Sequence, residues 1–224
     1  VAIHLDAIAA APYLALDVQA LDVDLLSLAA HKLEGPKGVG ALYMRKGTVI
    51  LPQLQGGAQE RYRRAGTENV AGAVGMAVAL ELAGAERAST SPRLAALRDR
   101  LRDAVLGVPG VELTGHPRRR LPGHISIIAR DVTGAEIVNA LDLEGVCASV
   151  GAACTTGSLE PSHVLTAMGY PDEEARGSLR LTLGRTTTED EVERAVRIVP
   201  ATIARLRAAS AVVAVDPLGE GVTA

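Results

Sequence analysis

Two side chains near the start of the chain have the types that carry amine chemistry. Asp6 closes the apolar run VAIHL, and Lys32 follows the run DLLSLAAH. If the two runs are parallel strands, both side chains leave the sheet at its carboxyl edge, where open α/β sheets bind ligands. A lysine amine condenses with an aldehyde, and an acid beside a pyridine nitrogen keeps that nitrogen protonated. These are the two polar groups that a pyridoxal phosphate site requires if its ring is to accept electrons. The alternative for the same pair is an ordinary surface ion pair.

Four further residues invite the same kind of question. His31 is either a donor to a phosphate oxygen or a turn residue. Thr67, after Gly66, offers a hydroxyl and backbone N–H groups to a phosphate, or it is simply the N-cap of the helix that follows. Arg180 sits in the apolar stretch GSLRLTLG and needs an anionic partner there, a substrate carboxylate or a structural acid. Cys154 lies in CASVGAACTTGSLEPSHVL, where Gly, Ala, Ser and Thr dominate. A cysteine on such a loop is a candidate nucleophile, because a thiolate must reach its target. Its other reading, a small buried apolar residue, is the one that fits Cys147 in its strand-like surroundings. Cys147, Cys154 and His163 are too few and wrongly spaced for zinc, so no metal site is expected.

The elements that must position these residues follow from hydrophobic periodicity. Residues 1–5, 24–28 and 39–45 read as strands, with a short helical stretch at 7–11 stopped by Pro12. Thr67 fits an N-cap before a small-residue helix over 70–82. A second helix over 93–106 has Leu94, Leu97, Leu101 and Val105 at helical spacing, which makes them core. Gly107-Val108-Pro109-Gly110 ends it and marks a domain boundary. Beyond it, strands at 111–113, 124–129, 145–149 and 178–183 alternate with helices at 134–143, 161–168 and 188–209. This order argues for an α/β protein.

Composition narrows the function classes. The chain has 224 residues, 48% of them apolar, which suffices for a folded core. With no Phe and no Trp, that core is built of Leu, Val, Ile and Ala. Net charge is −3 and no long basic block occurs. Arg63-Arg64 and Arg118-Arg119-Arg120 therefore read as solvated surface, not as a nucleic-acid footprint. No apolar run is long enough to span a bilayer, and the start lacks the basic region of a signal peptide. Two cysteines make no disulfide framework. A soluble protein of a reducing compartment, the cytoplasm, is expected. The chain starts with Val inside a strand-like run, which reads as part of a longer protein.

Five blocks in this order resemble the cysteine desulfurases, pyridoxal-phosphate enzymes of the class-V aminotransferase group. They are HLDA (4–7), SLAAHKLEGPKGVGALY (27–43), GGAQERYRRAGTENV (56–70), GAACTTGSLEPSHVLTAMG (151–169) and GSLRLTLGRTTTEDE (177–191). The resemblance implies an α/β architecture in which residues 1–106 are the C-terminal part of a large cofactor-binding domain. Residues 107–224 would then be a smaller α/β domain carrying the cysteine loop. It implies that Lys32 is the Schiff-base lysine, that Asp6 pairs with the pyridine nitrogen and that His31 is a phosphate ligand. Thr67 matches the threonine that reaches the phosphate of a neighbouring subunit, so a homodimer is implied. Arg180 matches the clamp for the substrate carboxylate, and Cys154 the loop cysteine that takes the sulfur. The implied reaction converts L-cysteine to L-alanine and leaves a persulfide on Cys154, which then passes sulfur to an acceptor or iron–sulfur scaffold protein. A selenocysteine lyase, another class-V enzyme or a non-catalytic scaffold remnant are the neighbouring readings.

The sequence departs from the family pattern at three places. Ala9 stands where the family carries a Gln against the ring hydroxyl. Ala29 stands where it carries a Ser that donates to the phosphate. Each lost hydrogen bond to a charged group is worth about 1.5–3 kcal/mol. The first half of a typical relative, with its Gly-rich phosphate loop and the His that stacks on the ring, has no counterpart in these residues.

Overall fold

The computed structural model describes residues 1–151 and 161–215. These form two compact units, which divide between Ser91 and Pro92.

In the first unit, β1 (His4–Asp6) pairs in parallel with β2 (Leu25–Ala29), and β3 (Gly40–Met44) pairs antiparallel with the other side of β2. Asp6 is in register with Ser27, so β1 and β2 run out at the same end of the sheet. The chain leaves β2 directly into a 3₁₀ turn, Ala30–Leu33. Ala30 and Leu33 are buried beneath it. The turn is closed by Glu34 in the left-handed conformation (φ 61°), whose N–H donates to the Ala30 carbonyl. The residues that follow press close on a helix. A Cβ on Gly35 would lie 3.0 Å from the Cβ of Ala79, and one on Gly75 would lie 2.6 Å from Cγ of Pro36. Small residues on both sides thus let the turn sit against that helix, and Ala11, Leu33 and Ala79 form one buried cluster there. A second cluster, Ala7, Val23 and Leu26, fills the sheet side, with Leu5, Leu16, Val18, Leu28 and Tyr43 around it.

Between β3 and that helix lies a short turn, α1 (Gln59–Tyr62), in which Glu60, Arg61 and Tyr62 all have positive φ. The helix itself, α2, runs over Val70–Leu106 without interruption. It was expected as two helices, 70–82 and 93–106. Ser89, Thr90, Ser91 and Pro92 are poor helix formers, and Pro92 cannot donate a backbone bond. Contacts of the fold outweigh them in the first unit: Ser91 Oγ donates to the Tyr13 carbonyl (2.8 Å) and Arg87 Nη2 to the Ala11 carbonyl (3.2 Å). The expected boundary near residue 107 coincides with the end of α2, whereas the compact units divide inside it. The stretch 7–11, expected as a short helix stopped by Pro12, forms turns that run on through Pro12 to Tyr13.

The second unit is built on an antiparallel sheet in the order β4 (Val111–Leu113), β5 (His124–Ala129), β6 (Ser178–Thr182). α3 (Gly134–Leu143) packs on β6 and on α6 (Glu189–Val215). The short helices α4 (His163–Ala167) and α5 (Asp172–Ala175) lie beside β5. Ile125, Ile127, Ile137, Leu141, Leu179, Val192, Val199 and Ile203 are buried, with Leu94, Leu97, Leu101 and Val105 of α2 as expected. The expected strand over 145–149 is not formed: Ser149 makes a single bridge to Arg180. No helix among the described residues is long and apolar enough to cross a membrane.

Candidate active site

The parallel pairing of β1 and β2 brings Asp6, His31 and Lys32 to one end of the first sheet. Asp6 is the last residue of β1 and is exposed. Its Oδ1 accepts the N–H of Ile8 at 3.0 Å, which holds the carboxylate over the turn that follows. His31 and Lys32 are the two exposed residues of the 3₁₀ turn, with buried Ala30 and Leu33 on either side. The turn is anchored by what it buries and directs its two basic side chains to solvent. Among the described residues Lys32 forms no hydrogen bond or ion pair, and Asp6 forms no ion pair. The surface pair that was the alternative for these two residues is therefore not made. An amine and a carboxylate are present at the same strand ends, and neither neutralises the other. That donor set suits a group that carries an aldehyde and a basic ring nitrogen.

Ala29 and Ala9 bear on the same end of the sheet. Ala29 is the N-cap of the 3₁₀ turn in extended conformation and supplies no side-chain cap. Ala9 lies in the turns after β1. Beside them, His4 Nε2 and Ser27 Oγ are 2.6 Å apart and join β1 to β2.

Thr67 is exposed in the segment between α1 and α2. It is not the helix cap. Asn69 takes that place: its Oδ1 accepts the N–H of Gly72 (2.9 Å) and its carbonyl the N–H of Ala73 (2.9 Å). Asn is as good a cap as Thr, and the helix starts two residues later than a Thr67 cap would place it.

Arg180 belongs to the second unit, in the middle of β6. It is half-buried, opposite Ser126 of β5 and bridged on its other side to Ser149. No acidic residue pairs with it among the described residues. His124, on the same strand as Ser126, is half-buried, and its pKa is pushed below the ordinary histidine range. Burial is the main cause, followed by the charges of Arg120, Arg180 and Arg98. Sequence periodicity missed His124, although HISIIA alternates and places His124 and Ser126 on one face.

Cys154 lies outside the described residues. Cys147, expected to be a buried apolar residue, is exposed. With no strand formed over 145–149, it lies open among the described residues.

The sequence profile described as "Aminotransferase class-V" matches residues 1–195. The chain is 50% identical over 204 residues to a cysteine desulfurase IscS of Methanosarcina thermophila, an alignment that covers 91% of this chain and 50% of that protein. Among solved structures, a NifS-like protein from Rickettsia africae ESF-5 matches with a TM-score of 0.82 at 27% identity, over 91% of this chain and 54% of that one. A structure of SspA in complex with cysteine matches with a TM-score of 0.63 at 29% identity, over 84% and 52%. The chain spans about half the length of the curated relatives it matches.

Proposed function

The chain belongs to the class-V aminotransferase family, and from that premise we propose that it carries the lysine, the acid and the sulfur-accepting cysteine of a pyridoxal-phosphate-dependent cysteine desulfurase. The observation that carries this reading is the placement of Asp6 and Lys32 at the same end of a parallel strand pair with no ion pair between them. Its support from relatives is the 50% identity to a cysteine desulfurase.

Pyridoxal phosphate, when bound, supplies an aldehyde for covalent attachment and a ring that accepts the electrons released at the substrate carbon. In this chain Lys32 would hold the aldehyde carbon, and its amine, once displaced, would move the proton. Asp6 would keep a proton on the ring nitrogen, and His31 and Thr67 would bind phosphate oxygens, Thr67 those of a second subunit in a homodimer. Arg180 would orient the carboxylate of L-cysteine, as a planar guanidinium does with two parallel donors. The Cys154 thiolate would attack the substrate sulfur. An S–S bond forms and the C–S bond breaks. Its electron pair stays on the substrate carbon, which takes a proton and leaves as L-alanine. The persulfide would then pass to an acceptor protein in the cytoplasm, such as an iron–sulfur scaffold.

The test is reduction of the protein with borohydride in the presence of pyridoxal phosphate, followed by peptide mapping. A single adduct on Lys32 is expected. Labelling scattered over other lysines overturns the assignment.

A further inference from the structure

The sheet of the second unit has two unlike faces. Ile125 and Ile127 of β5 and Leu179 and Leu181 of β6 alternate onto the buried side. The other side carries a polar row. Thr114 donates its N–H to the Ser126 carbonyl (2.9 Å), Ser126 is opposite Arg180, and Arg180 is bridged to Ser149. Thr114 Oγ1 and Ser126 Oγ are hydrogen-bonded at 2.6 Å, so the base of the row is tied together. Two residues back along β5, His124 shares this face, opposite Thr182 and diagonal to Arg180. Diagonal neighbours lie about 7–8 Å apart, within reach of long side chains.

The charges around His124 come from three elements. Arg180 faces it from β6, Arg120 from the loop before β5, and Arg98 from α2, where Asp99 pairs with Arg98 at 2.7 Å. Arg120 is already engaged, donating to the carbonyls of Thr114 and His116 (2.9 Å each). Arg98 also donates to the Leu121 carbonyl (3.1 Å). Arg180 is the one of the three whose guanidinium has no such partner among the described residues.

We propose that half-buried His124 is a second contact for the carboxylate that Arg180 receives, its ring N–H donating to one carboxylate oxygen from the same face of the sheet. The proposal rests on the desulfurase reading of Arg180. A neutral imidazole offers one donor and adds no charge to repel the guanidinium. The depressed pKa of His124 supports that protonation state near neutral pH. A bound carboxylate offsets part of the cationic field, so His124 takes up a proton more readily when the site is filled. Linkage then makes carboxylate binding tighten as pH falls through the raised pKa of the filled site.

The probe is 3-mercaptopropionate, which keeps the thiol and carboxylate of cysteine but has no amine to condense with an aldehyde. Its amide is the control. In the intact protein, the titration midpoint of the His124 ring, followed by NMR of nitrogen-labelled histidine, is expected to rise with 3-mercaptopropionate and to stay put with the amide. By calorimetry His124→Ala is expected to bind the probe about ten-fold more weakly, a loss of about 1.4 kcal/mol. His124→Gln, which keeps an N–H donor, is expected to recover most of it. An unmoved His124 midpoint overturns the inference, and that measurement needs no variant to fold. Loss of binding in Arg180→Gln with no loss in His124→Ala also overturns it, while Arg180 keeps its role. A raised midpoint in a protein that transfers no sulfur from L-cysteine upholds the inference and removes the desulfurase reading.

Discussion

Replacing Lys32 by alanine takes away the amine that the 3₁₀ turn presents without touching Ala30 and Leu33, which anchor that turn. The variant is expected to fold with unchanged melting temperature and to lose all borohydride-trapped cofactor. Label retained elsewhere at full stoichiometry would contradict the role given to Lys32. Cys154→Ser asks a different question, because it leaves the first unit intact. It is expected to keep the cofactor adduct and to form no persulfide, read by mass spectrometry after incubation with L-cysteine. Normal sulfide release by this variant would show that another group takes the sulfur. At this scale the sequence singles out unusual residues in apolar settings, Lys32 after SLAAH and Arg180 within GSLRLTLG, and the structure gives neither an acidic partner among the described residues. It was misleading for Thr67, whose capping role passes to Asn69, and for Cys147, since a cap and a burial depend on where the element begins.

Among the elements, α3 shows how much can be read from residue order alone. Its sequence Thr133-Gly-Ala-Glu136 is a capping box, and both halves of the box form. Thr133 Oγ1 accepts the Glu136 N–H, and Glu136 accepts from the Thr133 N–H and hydroxyl. Thr133→Ala is expected to cost about 1 kcal/mol in chemical denaturation. The Thr133 backbone N–H and then its hydroxyl hold the Glu136 carboxyl below the usual carboxylate range. That contribution is full above the ordinary glutamate pKa and fades as pH falls through the folded value. The difference between wild type and Thr133→Ala should therefore shrink in acid. A gap that widened in acid would refute the capping role. Gly177 supplies a second check. It is buried, and an added Cβ would run into the Ala129 carbonyl and lie 3.0 Å from the Val132 carbonyl. Gly177→Ala is expected to lose about 1–3 kcal/mol, typical of forced overpacking. Strands 111–113 and 124–129 and helix 134–143 form where periodicity placed them, because caps and turns bound them locally. The segment 145–149 does not, since its alternation lacks a partner beyond the bridge at Arg180. The two helices expected on either side of residues 83–92 become one because Ser91 and Arg87 bond to carbonyls about 75 residues away in sequence, which no local pattern reveals.

For the molecule taken whole, the first half of α2 is apolar nearly all round. Val70, Val74, Val78 and Leu82 recur every fourth residue and are each at least half exposed. Such a stripe marks a surface that meets something apolar. The 224-residue chain is expected to associate with increasing concentration in sedimentation. Val74→Lys combined with Val78→Lys is expected to abolish that association while leaving helix content unchanged. Equal association of the two proteins would locate the sticky surface elsewhere, Val49 and Leu51 of this unit being more exposed still than the stripe.

Arg207 of α6 donates to the carbonyls of Arg130, Pro109 and Gly110, so one guanidinium grips the chain where it enters β4 and where it leaves β5, both at the open end of that antiparallel pair. In hydrogen exchange, amides of β4 and of the last turns of α6 should therefore open together with a common free energy, although nearly a hundred residues separate them. Arg207→Ala should split that one cooperative opening into two.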